Sequence, residues 1–132
     1  SYIGLDFFQV GKREDADLII LGVCVPDTDL EGIVTESLDG TQYIMTLNGC
    51  NRPFSERNPP ETLFLHEFGH ALGLEHPFDN TDGDCIGSTD PWSKGSVHTG
   101  HTLMAYRNPP GKVKTFFTDL DIAALQVIWG LD

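Results

Sequence analysis

His66-Glu67-Phe68-Gly69-His70-Ala71-Leu72-Gly73-Leu74-Glu75-His76 is the stretch on which the reading of this chain depends. His66 and His70 stand four residues apart, so on a helix they lie one above the other on the same face. That spacing lets both imidazoles reach one metal ion at about 2.0–2.1 Å. Glu67 lies about 100° round the helix from His66. It flanks the metal and suits a general base better than a ligand. His76 would point away if the helix continued. Gly73 removes the difficulty, because without Cβ it can take positive φ and return His76 to the metal from another side. Three neutral imidazoles leave the fourth position open, as catalytic zinc requires.

The flanking residues frame this stretch as a helix. Asn58-Pro59-Pro60-Glu61 offers a cap at Asn58, a first helical residue at Pro59 and a capping-box partner at Glu61. The helix is expected to run to about Leu72, with Gly73 in the left-handed turn that ends it. Phe64, Leu65, Phe68, Ala71 and Leu72 fall opposite the histidines, so the helix is expected to be buried.

Upstream, the chain reads as strands. Tyr2 to Val10 is apolar with partial alternation, and Lys12 to Asp15 is a charged turn. Ala16 to Val25, apolar throughout except for Asp17, is expected to be a central, buried strand. Ile33 to Glu36 and Tyr43 to Leu47 flank the hairpin signal Asp39-Gly40. Gly49 to Asn58 reads as loop. Residues 77 to 115 are rich in Gly, Pro, Asp and Ser and read as a long irregular region. A last helix is expected from the cap Thr118 to Gly130, with Leu120, Ala124, Leu125, Ile128 and Trp129 as its core face. The fold class is therefore α+β: a small twisted mixed sheet, the zinc-site helix, and an irregular lower half closed by a C-terminal helix.

Composition bounds the function. The 132 residues suffice for a single domain. Eight Lys and Arg against twenty Asp and Glu give a net charge of −12, which excludes nucleic acid and anionic membrane surfaces as partners. The longest uncharged apolar run, Leu18 to Val25, is far shorter than the roughly 20 residues of a membrane span. No signal peptide is visible at Ser1. Cys24, Cys50 and Cys85 fit no zinc-ribbon spacing. They leave open one disulfide with one free thiol, Cys85 being able to pair with either of the others, or three free thiols.

Other candidates carry less. His98 and His101 lie in a Gly/Ser/Thr loop and read better as solvated histidines than as a second metal site. Asp79, Asp82 and Asp84, with Asn80, form an acidic stretch that could take Ca2+. Their spacing is not that of an EF-hand, and a solvated acidic loop is the stronger reading.

The stretch from His66 to His76 matches the metzincin zinc signature, H-E-x-x-H-x-x-G-x-x-H. Pro77, Leu103-Met104-Ala105-Tyr106 and Asp121-Ile122-Ala123-Ala124-Leu125-Gln126 resemble the serralysin branch. The resemblance covers about Glu61 to Gly130, and residues 16 to 47 resemble the family's sheet loosely. It implies a zinc endopeptidase acting on protein or peptide substrates, with His66, His70 and His76 as zinc ligands and Glu67 as general base. It implies Met104 as the Met-turn residue beneath the metal, and Tyr106 as a tyrosine that approaches zinc and stabilises the oxyanion. Met104 lies 28 residues beyond His76, a longer gap than in matrixins. By the same resemblance, Gly32 to Ser37 is the edge strand that pairs with substrate, Arg107 to Lys114 walls a side-chain pocket, and the protein is extracellular. The family's preceding helix and first strand are expected to be missing or supplied by additional protein segments, and its calcium-repeat domain is absent from these residues. Serralysins generally lack cysteine, whereas this chain has three. An alternative of another class is a zinc-bearing assembly module with an idle site in a larger complex. Glu67 opposes it, since a structural zinc site does not need that base.

Overall fold

A computed structural model describes residues 2–50, 60–109 and 114–131. After a short 3-10 turn at Arg13–Asp15 come β1 (Leu18–Val23), β2 (Gly32–Glu36) and β3 (Tyr43–Asn48). The helices α1 (Pro60–Ala71) and α2 (Asp119–Trp129) follow. The sheet has the order β1-β3-β2. β1 runs parallel to β3, with Leu18 opposite Tyr43 and Val23 opposite Asn48. β2 runs antiparallel to β3, with Gly32 opposite Leu47 and Glu36 opposite Tyr43. The architecture is a small α+β fold, consistent with a zincin-like one.

The β2–β3 hairpin follows its turn chemistry. Gly40 has φ 68°, which glycine adopts without a steric cost. Asp39 accepts from the Ser37 and Thr41 hydroxyls and the Thr41 amide, which holds its carboxyl down at about 2. Two upstream expectations are corrected. Ala16 to Val25 does not form a central strand: β1 is an edge, and Ile20 and Leu21 are exposed. A continuous apolar run marks a strand but does not rank it within a sheet. The centre falls to β3, because the hairpin folds back between β1 and β2. Tyr2 to Val10 forms no strand. Its Ile3 and Leu5 pack against the lower core, and the Gly4 amide donates to the Gly130 carbonyl. Its apolar residues thus serve α2 and not a ladder.

Asn48 at the end of β3 is buried and spends its amide on the loop after β1. It accepts from the Val25 and Cys50 amides and donates to the Val25 and Leu30 carbonyls. That fixes the approach of the chain to β2. Cys24 and Cys50 form a disulfide across the same corner, leaving Cys85 free. Closing a loop of this size contributes about 3 kcal/mol.

The lower core joins α1 to α2 through Leu72, Leu74, Met104 and Leu125, with Phe68, Phe117 and Ala124 around them. The expected core face of α2 is narrower than its sequence suggests. Leu125 is buried, but Leu120, Ile128 and Trp129 are each more than 40% exposed. Trp129 nevertheless donates its indole N–H to the Leu72 carbonyl at the end of α1. The apolar face of α1 is likewise half-buried at Phe64, Leu65 and Phe68. The caps expected at Asn58 and Pro59 lie outside the described residues, as does most of the expected loop from Gly49 to Asn58. Residues 77–109 contain no helix or strand beyond a single bridge between His98 and Arg107.

Thr118 caps α2 in a full capping box whose N3 partner is Asp121. Asp121 is buried and does more than cap. Besides the Thr118 amide and hydroxyl, it accepts from the Thr102 hydroxyl and the Leu103 amide. One carboxylate therefore ties α2 to the turn that carries Met104. Asp121→Ala leaves these donors without a buried acceptor and should destabilise the fold by about 3 kcal/mol or more. Denaturant unfolding checks this. A loss below about 1 kcal/mol would show that the carboxylate is dispensable.

Candidate metal centre

α1 places His66 and His70 on one face, and Gly73 turns the chain after it with φ 94°. Leu74 then returns its amide to the Gly69 carbonyl, and His76 comes back over the same face. The result is a convergence of three imidazoles. His76 Nε2 lies 3.2 Å from His66 Nε2 and 3.1 Å from His70 Nε2.

Each helical histidine is locked in one tautomer. His66 Nδ1–H donates to the Leu103 carbonyl at 2.7 Å. His70 Nδ1–H donates to the Leu74 carbonyl at 2.8 Å. A carbonyl only accepts, so both Nε2 atoms present lone pairs to the centre. His76 can offer a proton to only one of them. Lone pairs brought this close repel unless a cation lies among them. A tetrahedral ion with bonds of 2.0–2.1 Å would hold its nitrogens roughly 3.3–3.4 Å apart, so the tripod fits zinc. The carbonyl partners are the outer-shell contacts that orient metal-bound histidines.

Leu103 is the hinge of this arrangement. Its amide donates to Asp121 and its carbonyl accepts from His66. Beneath the helix, Met104 is buried and packs on Gly69. A Cβ at Gly69 would stand 2.6 Å from Met104 Sδ, so only glycine permits the approach. Met104 thus lies against the helix that carries His66 and His70. Tyr106 follows at the rim, its ring 4.8 Å from that of His76 and 5.8 Å from that of His66. Burial and then the charges of Glu67 and Glu31 push its phenol up, so it remains a proton donor.

Glu67 is buried in the floor of a cleft of about 710 Å³. The cleft runs along β2 and α1 and also exposes His66, His70, His76, Trp92 and Tyr106. Burial, and secondarily Glu31, push the Glu67 carboxyl up to about 7. Gly32 of β2 lies over it: a Cβ there would come within 2.6 Å of its Cγ and Oε1. The edge strand and the carboxylate are therefore in contact through a missing side chain.

The remaining candidates separate from this centre. Asp79 turns to Thr81, accepting from its amide and hydroxyl. The carboxylates that do approach one another are Glu75, Asp82 and Asp84, all exposed, and Asp82 pushes Asp84 up. Calcium at Asp79, Asp82 and Asp84 thus finds no support. His98 and His101 stack at 4.1 Å, and His98 Nδ1 accepts from the Gly100 amide. Neither lines the cleft. In the expected pocket wall, Asn108 lines the cleft, while residues 110–113 lie outside the described set. The sequence reading missed Trp92, and it gave Gly32 only as the start of the edge strand and Asp121 only as part of the resemblance. The spacing Thr118-x-x-Asp121 was a usable capping signal, whereas nothing in the sequence singles out Gly32 or Trp92.

No family model and no solved structure matches the sequence. Among curated proteins it is similar to Metallopeptidase AprA of Pseudomonas marginalis, with 30% identity over 105 residues. The match takes in 70% of this chain and 22% of that protein, so the chain spans about a fifth of its relative's length. Within this chain His66, His70 and His76 form a group able to hold a metal ion, and three imidazole nitrogens suit zinc.

Proton competition at the triad should be weak. Burial and the neighbouring histidines hold His76 down at about 4, and burial also lowers His70. A lowered imidazole pKa keeps the ligand neutral further into acid, so zinc affinity should persist there. From pH 6 to 5, three imidazoles titrating near 6.5 would together lose several hundred-fold in affinity, about eight-fold each. Here His76 alone should remove about seven-fold of that loss, and the lowered His70 more, in a competition titration against a chromogenic chelator. A fall of several hundred-fold would show that the histidines titrate freely.

Proposed function

We propose that this chain is a zinc-dependent endopeptidase domain of serralysin-like type, in which His66, His70 and His76 hold the metal. The reading rests above all on the three Nε2 atoms that converge over a cleft floored by Glu67. Zinc bound there would supply Lewis-acid polarisation of a peptide carbonyl and of a water.

The chain's own residues supply the rest. Glu67 acts as general base: it takes a proton from the attacking water and returns it to the leaving amine. Burial makes its carboxylate a stronger proton acceptor than an exposed one. Tyr106 donates its hydroxyl to the carbonyl oxygen as charge develops there. Among the described residues β2 pairs with β3 on one side only, and its other edge lines the cleft. An extended substrate adding to that edge would be held by main-chain hydrogen bonds, which recognise any sequence. The opposite edge of the sheet, at β1, exposes Ile20 and Leu21, and a strand from additional protein segments would pair there. The Cys24–Cys50 disulfide favours an oxidising, extracellular setting. No helix among the described residues is long and apolar enough to cross a membrane.

Glu67→Gln should keep zinc and fold yet lose at least about 10²-fold in turnover on a denatured protein substrate. Gly32→Ala leaves the base in place but crowds it. A misplacement of about 1 Å can cost up to ~10²-fold, so a loss of at least about ten-fold with full zinc content is expected. Turnover at the parent rate in zinc-loaded Glu67→Gln would assign the base elsewhere.

Tyr106→Phe removes one donor that acts as charge develops and should lower kcat by ~10²–10³. KM should change little, because the bond strengthens mainly in the transition state. Steady-state kinetics on a quenched peptide measures both. An unchanged kcat would reduce Tyr106 to a rim aromatic.

A further inference from the structure

The charged groups lining the cleft have one sign. They are Asp29, Glu31, Glu36 and Glu67, and none of the described Lys or Arg residues lines it. Glu67 belongs to the reaction, but the other three do not. Asp29 and Glu31 precede β2, and Glu36 ends it. A five-residue strand spans roughly 16 Å, so carboxylates stand at both ends of the edge to which a substrate would add.

An independent feature comes from the irregular lower half. Trp92 is 68% exposed and Tyr106 42% exposed, yet both line the same cleft. Their rings lie 5.8 Å apart at 37°, so two partly exposed aromatics stand side by side in the cleft. Aromatic faces attract a guanidinium or ammonium held within about 6 Å. An apolar side chain would use the aromatics but gain nothing from the carboxylates. An acidic one would be repelled by the carboxylates and by the faces of the rings. A long basic side chain satisfies both, its stem on the indole and its head near a carboxylate. The net charge of −12 adds attraction at longer range.

Resting on the protease reading above, we propose that the cleft selects polypeptides with Arg or Lys side chains beside the bond to be cleaved. Glu31 and Glu36, with Trp92, are the residues that determine this selectivity. Main-chain pairing at β2 gives general affinity, and the acidic and aromatic lining sorts among sequences by charge.

The test uses zinc-loaded Glu67→Gln, so that binding is read without turnover. Two fluorescent peptides of equal length carry Arg or Glu at the same flanking positions. The Arg peptide should bind at least about ten-fold more tightly at low salt, and the difference should shrink between about 0.05 and 0.5 M ionic strength. Adding Glu31→Gln or Glu36→Gln should each weaken the Arg peptide about two- to five-fold, as for partly exposed ion pairs. Trp92→Ala should do so to a similar extent, about two- to five-fold. Asp119→Asn, at a position outside the cleft, should change nothing. Equal binding of the two peptides overturns the proposal, as does a preference that survives all three cleft substitutions. Hydrolysis of the same pair by the unaltered zinc-loaded protein separates the two levels. Preferential binding without any cleavage would reject the protease reading alone, and equal cleavage of both peptides would reject the selectivity alone.

Discussion

Three converging imidazole nitrogens, that of His76 about 3 Å from each of the other two, are an unfavourable arrangement for a protein by itself, and much of this fold serves to impose it. Two of them cannot turn away, because their Nδ1 protons are engaged by the Leu103 and Leu74 carbonyls. The third is delivered by the positive φ of Gly73. Burial then keeps His76 neutral. Each of these contributions leaves the lone pairs available to a cation, and none of them compensates for its absence.

The constraint extends through the backbone of the lower half. Asp121 on α2 holds the Leu103 amide, and the carbonyl of the same residue holds His66. The next residue, Met104, fills the space under Gly69. The irregular region of residues 77–109 is thus pinned at the point that matters for the metal, where one turn meets both helices. Above, β2 approaches so closely that Gly32 touches Glu67. The cleft is assembled from elements far apart in sequence, and two of its closest contacts require glycine.

What the sequence made legible follows from how local each signal is. His66, His70 and Gly73 are set by helix periodicity and one turn, so the ligand face, the helix end and the return of His76 could be read directly. The hairpin at Asp39-Gly40 and the cap at Thr118 are equally local. Strand order is not. Leu18 to Val25 is apolar enough for a sheet centre, yet the β2–β3 hairpin inserts β3 there and leaves β1 at the edge. Tyr2 to Val10 has strand-like composition, but Ile3 and Leu5 find their partners on the lower core. Trp92 gives no signal because its place beside Tyr106 depends on the path of an irregular loop. The disulfide was likewise undetermined, since the proximity of Cys24 and Cys50 follows from the parallel register of β1 and β3.

The account stands on the identity of the atoms around the metal. X-ray absorption spectroscopy of the zinc-loaded protein reads them most directly. Three imidazole nitrogens and one further light atom, at about 2.0–2.1 Å, are the predicted shell. A sulfur scatterer near 2.3 Å, or a shell with fewer than three imidazoles, would contradict it.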